Sequence, residues 1–281
     1  MTLETISEQK AFGGLQGVYK HASKSTGCQM EFSLFMPSRS KAHPVPVLYY
    51  LSGLTCTQEN ATTKAGFQRI AEQLNIAVVC PDTSPRGLGY EGEDDSYDFG
   101  TGAGFYLDAV QEPWSSGYQM YTYCTEELPA VIDSHFNVDI ANAAITGHSM
   151  GGHGALTIAL KNPDKYKSVS AFAPIVAPTQ VPWGINALEK YLGPDTENWR
   201  TYDATELVNN GHKFNGEILI DQGDADPFYQ EQLKPELFVQ ACKEQGQKIN
   251  LRIQEGYDHS YYLMATFIED HLRHHASYLY T

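Results

Sequence analysis

The chain has 281 residues, 42% of them apolar and 19% charged, a balance that excludes a disordered chain and allows a large buried core. Lys and Arg number 19 against 34 Asp and Glu, a formal net charge of −15. That sign argues against DNA, RNA or anionic lipid as a partner, because each carries the same charge.

No apolar stretch reaches 18 residues, so no membrane span is expected. The first ten residues, MTLETISEQK, lack the basic-then-apolar order of a secretory signal. The cysteines at 28, 56, 80, 124 and 242 are odd in number and widely spaced. They argue against structural zinc and a disulfide framework, and for a reducing cytoplasm. With no repeat, low-complexity tract or long linker, one domain over residues 1–281 is expected.

The first clear pattern is Met30, Phe32, Leu34 and Met36 alternating with Glu31, Ser33 and Phe35, which predicts a strand. Val47 to Leu51 and Ile76 to Cys80 are short apolar runs, predicting strands buried on both faces. Phe67, Ile70, Ala71 and Leu74 between them follow helical spacing. The alternation then repeats. Leu128 to Phe136 predicts a helix, Ala143 to Thr146 a strand, and Ala155 to Ala159 a helix. Val169 to Ala173, Ile218 to Asp221 and Ile249 to Ile253 are further strands. Leu237 to Cys242, with Gly246 as C-cap, and Phe267 to Leu272 are the last helices. Such alternation predicts an α/β chain with a mostly parallel central sheet and helices on both faces.

Two stretches break this rhythm. Asp82 to Trp114 is rich in glycine, acid and aromatic residues, and Ile175 to Tyr202 carries Pro and Trp. Both are read as ordered loops over a site. The acidic group of Glu91, Glu93, Asp94, Asp95 and Asp98 lacks the spacing of a Ca²⁺ loop and reads as a solvated face. No metal or cofactor is expected.

Gly147-His148-Ser149-Met150-Gly151 matches G-x-S-x-G between a predicted strand and a predicted helix. That setting lifts a serine Oγ clear of the sheet as a nucleophile. A base must take its proton. His259 lies just past the strand Ile249 to Ile253 and is the candidate. His271, His274 and His275 fall within or at the end of a helix and are expected to face solvent. His153, on the elbow helix, is expected to pack. An acid should follow the strand Ile218 to Asp221, where Asp221, Asp224 and Asp226 compete. Asp221 is tied to the pleat. Asp224 follows directly on Gly223, where the chain is expected to turn, and is read as a cap or a solvated group. Asp226 has room to curl back under the loop of His259 and is chosen. Oxyanion donors are expected at the N–H of Met150, after the nucleophile, and of Leu54, in the loop after Val47 to Leu51. Cys56 is expected to border the site as a wall residue, since no nearby cation would lower its thiol pKa. The Pro182-Trp183 pair offers a flat apolar wall.

SGLTCT (Ser52 to Thr57), PDTSPRG, YDFGTGAGFY, GHSMGGHGAL, PWG, IDQGDAD and YDHSYY together resemble the S-formylglutathione hydrolase, or esterase D, family over nearly the whole chain. Tyr97 stands where that family often has Trp, and Val181 where Cys is common. The resemblance implies an α/β-hydrolase fold, a Ser149–Asp226–His259 triad, and oxyanion donors at Leu54 and Met150. It further implies a cytosolic homodimer cleaving a glutathione thioester and short-chain esters. The alternatives are a general short-chain carboxylesterase or acyltransferase, and, in another class, a non-catalytic binding protein on this scaffold. The thioester is anionic and so is the chain, so a local basic or hydrogen-bonding group should hold the glutathione part.

Overall fold

The buried apolar runs become the centre of one sheet. In the computed structural model, which describes residues 2–281, the strands are β1 (Leu3–Ala11), β2 (Gly14–Ala22), β3 (Gln29–Met36), β4 (Val45–Leu51), β5 (Ala77–Pro81), β6 (Val138–Gly147), β7 (Tyr166–Phe172), β8 (Ile218–Gly223) and β9 (Ile249–Gln254). Their order is β1-β2-β3-β5-β4-β6-β7-β8-β9. β1, β2, β3 and β5 pair antiparallel, and every pair from β5 to β9 is parallel. All seven residues of β4 and all five of β5 are buried, as expected of strands covered on both faces.

The expected α/β-hydrolase fold is therefore borne out, with an antiparallel edge that sequence reasoning missed. β1 has no buried residue, so its two polar faces gave no period to read. The tight turn Phe12-Gly13, with φ of 51° and 107°, is the primed-turn geometry that closes a two-residue hairpin.

Two helices sandwich β7. The helix Met150–Lys161 brings Gly152 against Ala171, while the helix Tyr261–Leu279 stacks His271 on Phe172. Neighbouring strand residues point to opposite faces, so these helices cover opposite sides of the sheet.

The last helix corrects one expectation. His271 and His275 are fully buried, not solvated. With Met264, Ile268, Leu272 and Leu279 they complete one buried face. The sheet supplies their polar partners, Ser168, Ser170 and Asp221. The stretch Ile175 to Tyr202 is also more regular than expected. It contains the helix Pro182–Leu192, with Pro182 in its first turn, ended by Gly193 at φ 80°. Asp82 to Trp114 has no long helix or strand. It is ordered by rings, with Phe99 4.6 Å from Trp114 and 4.5 Å from Tyr191. Of its acids, Glu91, Asp94 and Asp95 are exposed as expected. Glu93 is buried and accepts from Tyr118 Oη and Gly89 N–H, both at 2.8 Å. Among the described residues no His, Cys, Asp and Glu cluster could hold a metal ion, and no helix is long and apolar enough to cross a membrane.

Candidate active site

β4 lies between β5 and β6, so the chain reverses direction across the sheet there. Crevices outside the C-terminal ends of strands form at such a switch point. β4 and β6 end side by side, pairing Leu51 with Gly147. The loop Ser52 to Thr55 and the elbow at Ser149 therefore share one crevice.

Ser149 sits at φ 56° and ψ −120°, a strained conformation for a non-glycine residue. Close packing enforces it. A Cβ on Gly147 would lie 2.3 Å from Gly151 O, and one on Gly151 would lie 2.0 Å from Leu51 O. Ser149 N–H donates to Phe172 O at 2.9 Å, pinning the turn to β7.

The acid and the candidate base meet across the next loops. His259 Nδ1 is 2.6 Å from Asp226 Oδ2. A carboxylate only accepts, so Nδ1 carries a proton, and in the neutral ring the lone pair falls to Nε2. The Asp226 side chain is fully buried. It also accepts from Phe228 N–H at 2.8 Å and the Gln222 amide at 3.2 Å, which fixes its orientation. Phe228 presents an edge contact to the His259 ring at 5.1 Å. Gly223 corrects an expectation: it ends β8 rather than turning the chain. Its missing side chain matters because a Cβ there would lie 2.1 Å from Tyr257 O. This close approach seats the His259 loop on the acid loop, where Ala225 N–H donates to Tyr257 O. Asp224 is exposed, the solvated alternative expected of it, and accepts from Gly256 N–H of the neighbouring loop at 2.7 Å rather than capping a turn at Gly223. Asp221 is held by Arg252 and His271, away from His259.

In the other loop the amides sort themselves. Gly53 N–H donates to His148 Nε2, Thr55 N–H to Gly102 O and Cys56 N–H to Gly53 O. Leu54 N–H has no acceptor among the described residues, and Met150 begins the elbow helix, where N–H groups have no partner within the helix. Both are free to donate to a ligand, as the sequence reading requires.

His148 is the residue sequence reasoning missed. It is buried beside Ser149, and its Nδ1 lies 3.3 Å from Tyr50 Oη. Accepting from Gly53 fixes Nε2 as unprotonated. Burial, and secondarily the charge of His259, hold its pKa down at about 3. A neutral histidine thus anchors the loop that presents Leu54. The only sequence signal was its place as the second residue of G-x-S-x-G. His153 packs as expected, fully buried with Nε2 3.0 Å from Phe105 O.

A cavity of about 280 Å³ joins these parts. Ser149, His259, Gly53, Leu54, Cys56 and Trp183 line it, with Tyr97, Phe228 and Met264 among the other walls. Trp183 Nε1 donates to Tyr97 Oη at 2.9 Å, so the aromatic loop does reach the site. Cys56 Sγ is 3.9 Å from Tyr261 Oη, and burial raises its thiol pKa. The thiol is therefore neutral at physiological pH, which suits a wall residue. His259 Nε2 makes no hydrogen bond to another described residue, and it shares this cavity with Ser149. The set is chemically equipped for acyl transfer.

The family model described as "Putative esterase" matches residues 23–275. The chain is 53% identical over 280 residues to an S-formylglutathione hydrolase of Rattus norvegicus, covering 99% of both chains. It is 54% identical to one of Arabidopsis thaliana, covering 99% of this chain and 98% of that one. A solved S-formylglutathione hydrolase from Agrobacterium tumefaciens superposes with a TM-score of 0.95 at 52% identity, covering 98% of this chain and 99% of that one. The chain belongs to the S-formylglutathione hydrolase family of esterases, on the α/β-hydrolase fold.

Proposed function

We propose that this chain hydrolyses S-formylglutathione to formate and glutathione, the last step of glutathione-dependent formaldehyde detoxification, and cleaves short-chain esters as a side activity. The observation that carries this reading is agreement over 99% of the chain with relatives of that name, 51–54% identical. Ser149 Oγ attacks the formyl carbon as His259 Nε2 takes its proton. Asp226 holds the tautomer and stabilises the imidazolium. The carbonyl oxygen gains negative charge opposite Leu54 and Met150 N–H. The C–S bond then breaks, and His259 returns its proton to the departing glutathione sulfur. Water, deprotonated by His259, attacks the formyl-Ser149 ester. His259 returns that proton to Ser149 Oγ, and formic acid leaves, ionising to formate with its proton passing to solvent. His259 activates both serine and water, and the Leu54 and Met150 amides meet the developing charge, so this chemistry asks for no metal or cofactor. Cys56 and Trp183 wall the small acyl side.

We place the enzyme in the cytoplasm as a homodimer of one-domain chains. Five free thiols fit a reducing compartment. Sedimentation of the purified protein tests the dimer. The substrate is tested by comparing kcat/KM for S-formylglutathione and for p-nitrophenyl acetate, with Ser149→Ala beside the wild type. The thioester should be preferred, and Ser149→Ala should lose about 10⁶-fold in kcat. A wild type active only on the acetate ester would make the chain a general carboxylesterase.

A further inference from the structure

The catalytic cavity is small and mostly apolar, and it offers no charged wall to a glutathione thioester. At about 280 Å³ it falls just below the roughly 300–1,000 Å³ of ordinary ligand sites. None of its thirteen lining residues is Lys, Arg, Asp or Glu. Glutathione carries two carboxylates and one ammonium at neutral pH, so its tripeptide must extend beyond this cavity and meet a cation elsewhere.

A second cavity, about 580 Å³, shares two walls with the first, Ser260 and Tyr261. Its other walls are Lys64, Tyr262 and Ala265. Lys64 ends the helix Gln58–Lys64, is exposed, and enters no ion pair among the described residues. Its Nζ lies 5.8 Å from the centre of the Tyr261 ring, which holds the charge over this wall. Arg86, the other cation close to the oxyanion loop, is committed. It pairs with Asp82 at 2.7 Å and donates to Cys56 O. The Tyr262 side is open too, with that residue 79% exposed, an aromatic face available to peptide.

We propose that this second cavity is the leaving-group subsite, where Lys64 pairs with a glutathione carboxylate and Tyr261 and Tyr262 floor the tripeptide. The proposal rests on the reading of the substrate as S-formylglutathione. It explains how a chain of net charge −15 receives an anion: one unpaired lysine stands beside the cavity mouth. The interaction is solvent-exposed, so it contributes modestly and is screened by salt.

The test is the ratio of kcat/KM for S-formylglutathione to kcat/KM for p-nitrophenyl acetate, which carries no carboxylate. Lys64→Ala should lower that ratio by about fivefold, Lys64→Glu by about tenfold or more, and Lys64→Arg should keep it. Added NaCl should lower the wild-type ratio but not that of Lys64→Ala. A wild-type ratio in Lys64→Glu would overturn the subsite while leaving the substrate reading intact. So would equal loss on both substrates, since the lysine would then act through the fold or the catalytic cavity. A wild type that cleaves the acetate but not S-formylglutathione would overturn the substrate reading itself, and the subsite with it.

Discussion

Two carboxylate–histidine pairs hang from β8 and its loop, and they differ in what surrounds the second ring nitrogen. Asp226 meets His259 at 2.6 Å, and Asp221 meets His271 at 3.1 Å. Both carboxylates are buried. His271 spends its other nitrogen on Ser170 Oγ at 2.8 Å. Ser170 in turn meets Thr146 and His275, each at 2.8 Å, and His275 meets Ser168. Asp221 is further saturated by Arg252 and Gln254. Every group in that network has a partner, so it locks the last helix to β6, β7 and β8. His259 instead leaves its second nitrogen on the wall of the cavity that holds Ser149. The same residue types therefore make a fastener in one place and a candidate proton shuttle in the other. The vacancy on one nitrogen decides which.

The sharpest way to break this comparison is to remove each acid's charge. Asp226→Asn should lower kcat for ester hydrolysis by about 10⁴, the cost of losing the correct tautomer in a serine triad, with little change in melting temperature. Asp221→Asn should do the reverse. It strips Arg252 of a buried counter-charge and His271 Nε2–H of its carboxylate acceptor, and should cost about 3–5 kcal/mol in denaturant unfolding, as broken buried pairs do. The surviving folded fraction should turn over near the wild-type rate. A collapse of turnover in folded Asp221→Asn would mean the two pairs are one functional unit.

Acid sharpens the comparison next. His153 and His148 are buried and neutral, with pKa values lowered mainly by burial to about 4 and about 3, and burial drives His275 well below its ordinary value. The unfolded chain binds protons at these sites near pH 6.5 and the folded chain does not. Stability is therefore complete above pH 6.5 and falls as pH drops below it, by about 1.4 kcal/mol per pH unit for each such histidine. Asp221 resists longer. Burial alone would raise its pKa, but His271 and Arg252 hold it at about 2, so its contribution is complete above the ordinary 3.8 of a free Asp and is lost progressively as pH falls from there through about 2. Melting temperature measured from pH 7 to 4 should decline steadily, and a flat profile would mean these histidines are charged in the fold.

The smallest effect is expected at Cys56. Cys56→Ser should keep most of the activity, within about threefold, while a bulky thiol reagent on Cys56 should block the cavity. A loss as deep as that of Asp226→Asn would give the thiol a chemical role.

Much of this contrast was legible in the sequence. Buried runs such as VLYYL and IAVVC marked the central strands, and G-x-S-x-G between strand and helix marked Ser149. The order of Asp226 and His259 after later strands placed the rest. The fastener was not legible. His271 and His275 look like solvated helix residues until Ser168 and Ser170 come to face them, and sequence does not show partners about a hundred residues away. β1 escaped for the opposite reason, since an exposed edge strand needs no apolar period. Lys64 escaped because its cavity is closed by residues 260 to 265, which meet it only in the folded chain.

The most direct measurement of the difference between the two pairs is the rate of covalent labelling by an alkyl fluorophosphonate, in which the activated serine displaces fluoride. One equivalent should attach, at Ser149, in wild type and Asp221→Asn at similar rates, and several orders of magnitude more slowly in Asp226→Asn. Label on another residue, or fast labelling of Ser149 in Asp226→Asn together with slow labelling in folded Asp221→Asn, would contradict the assignment of the acting pair.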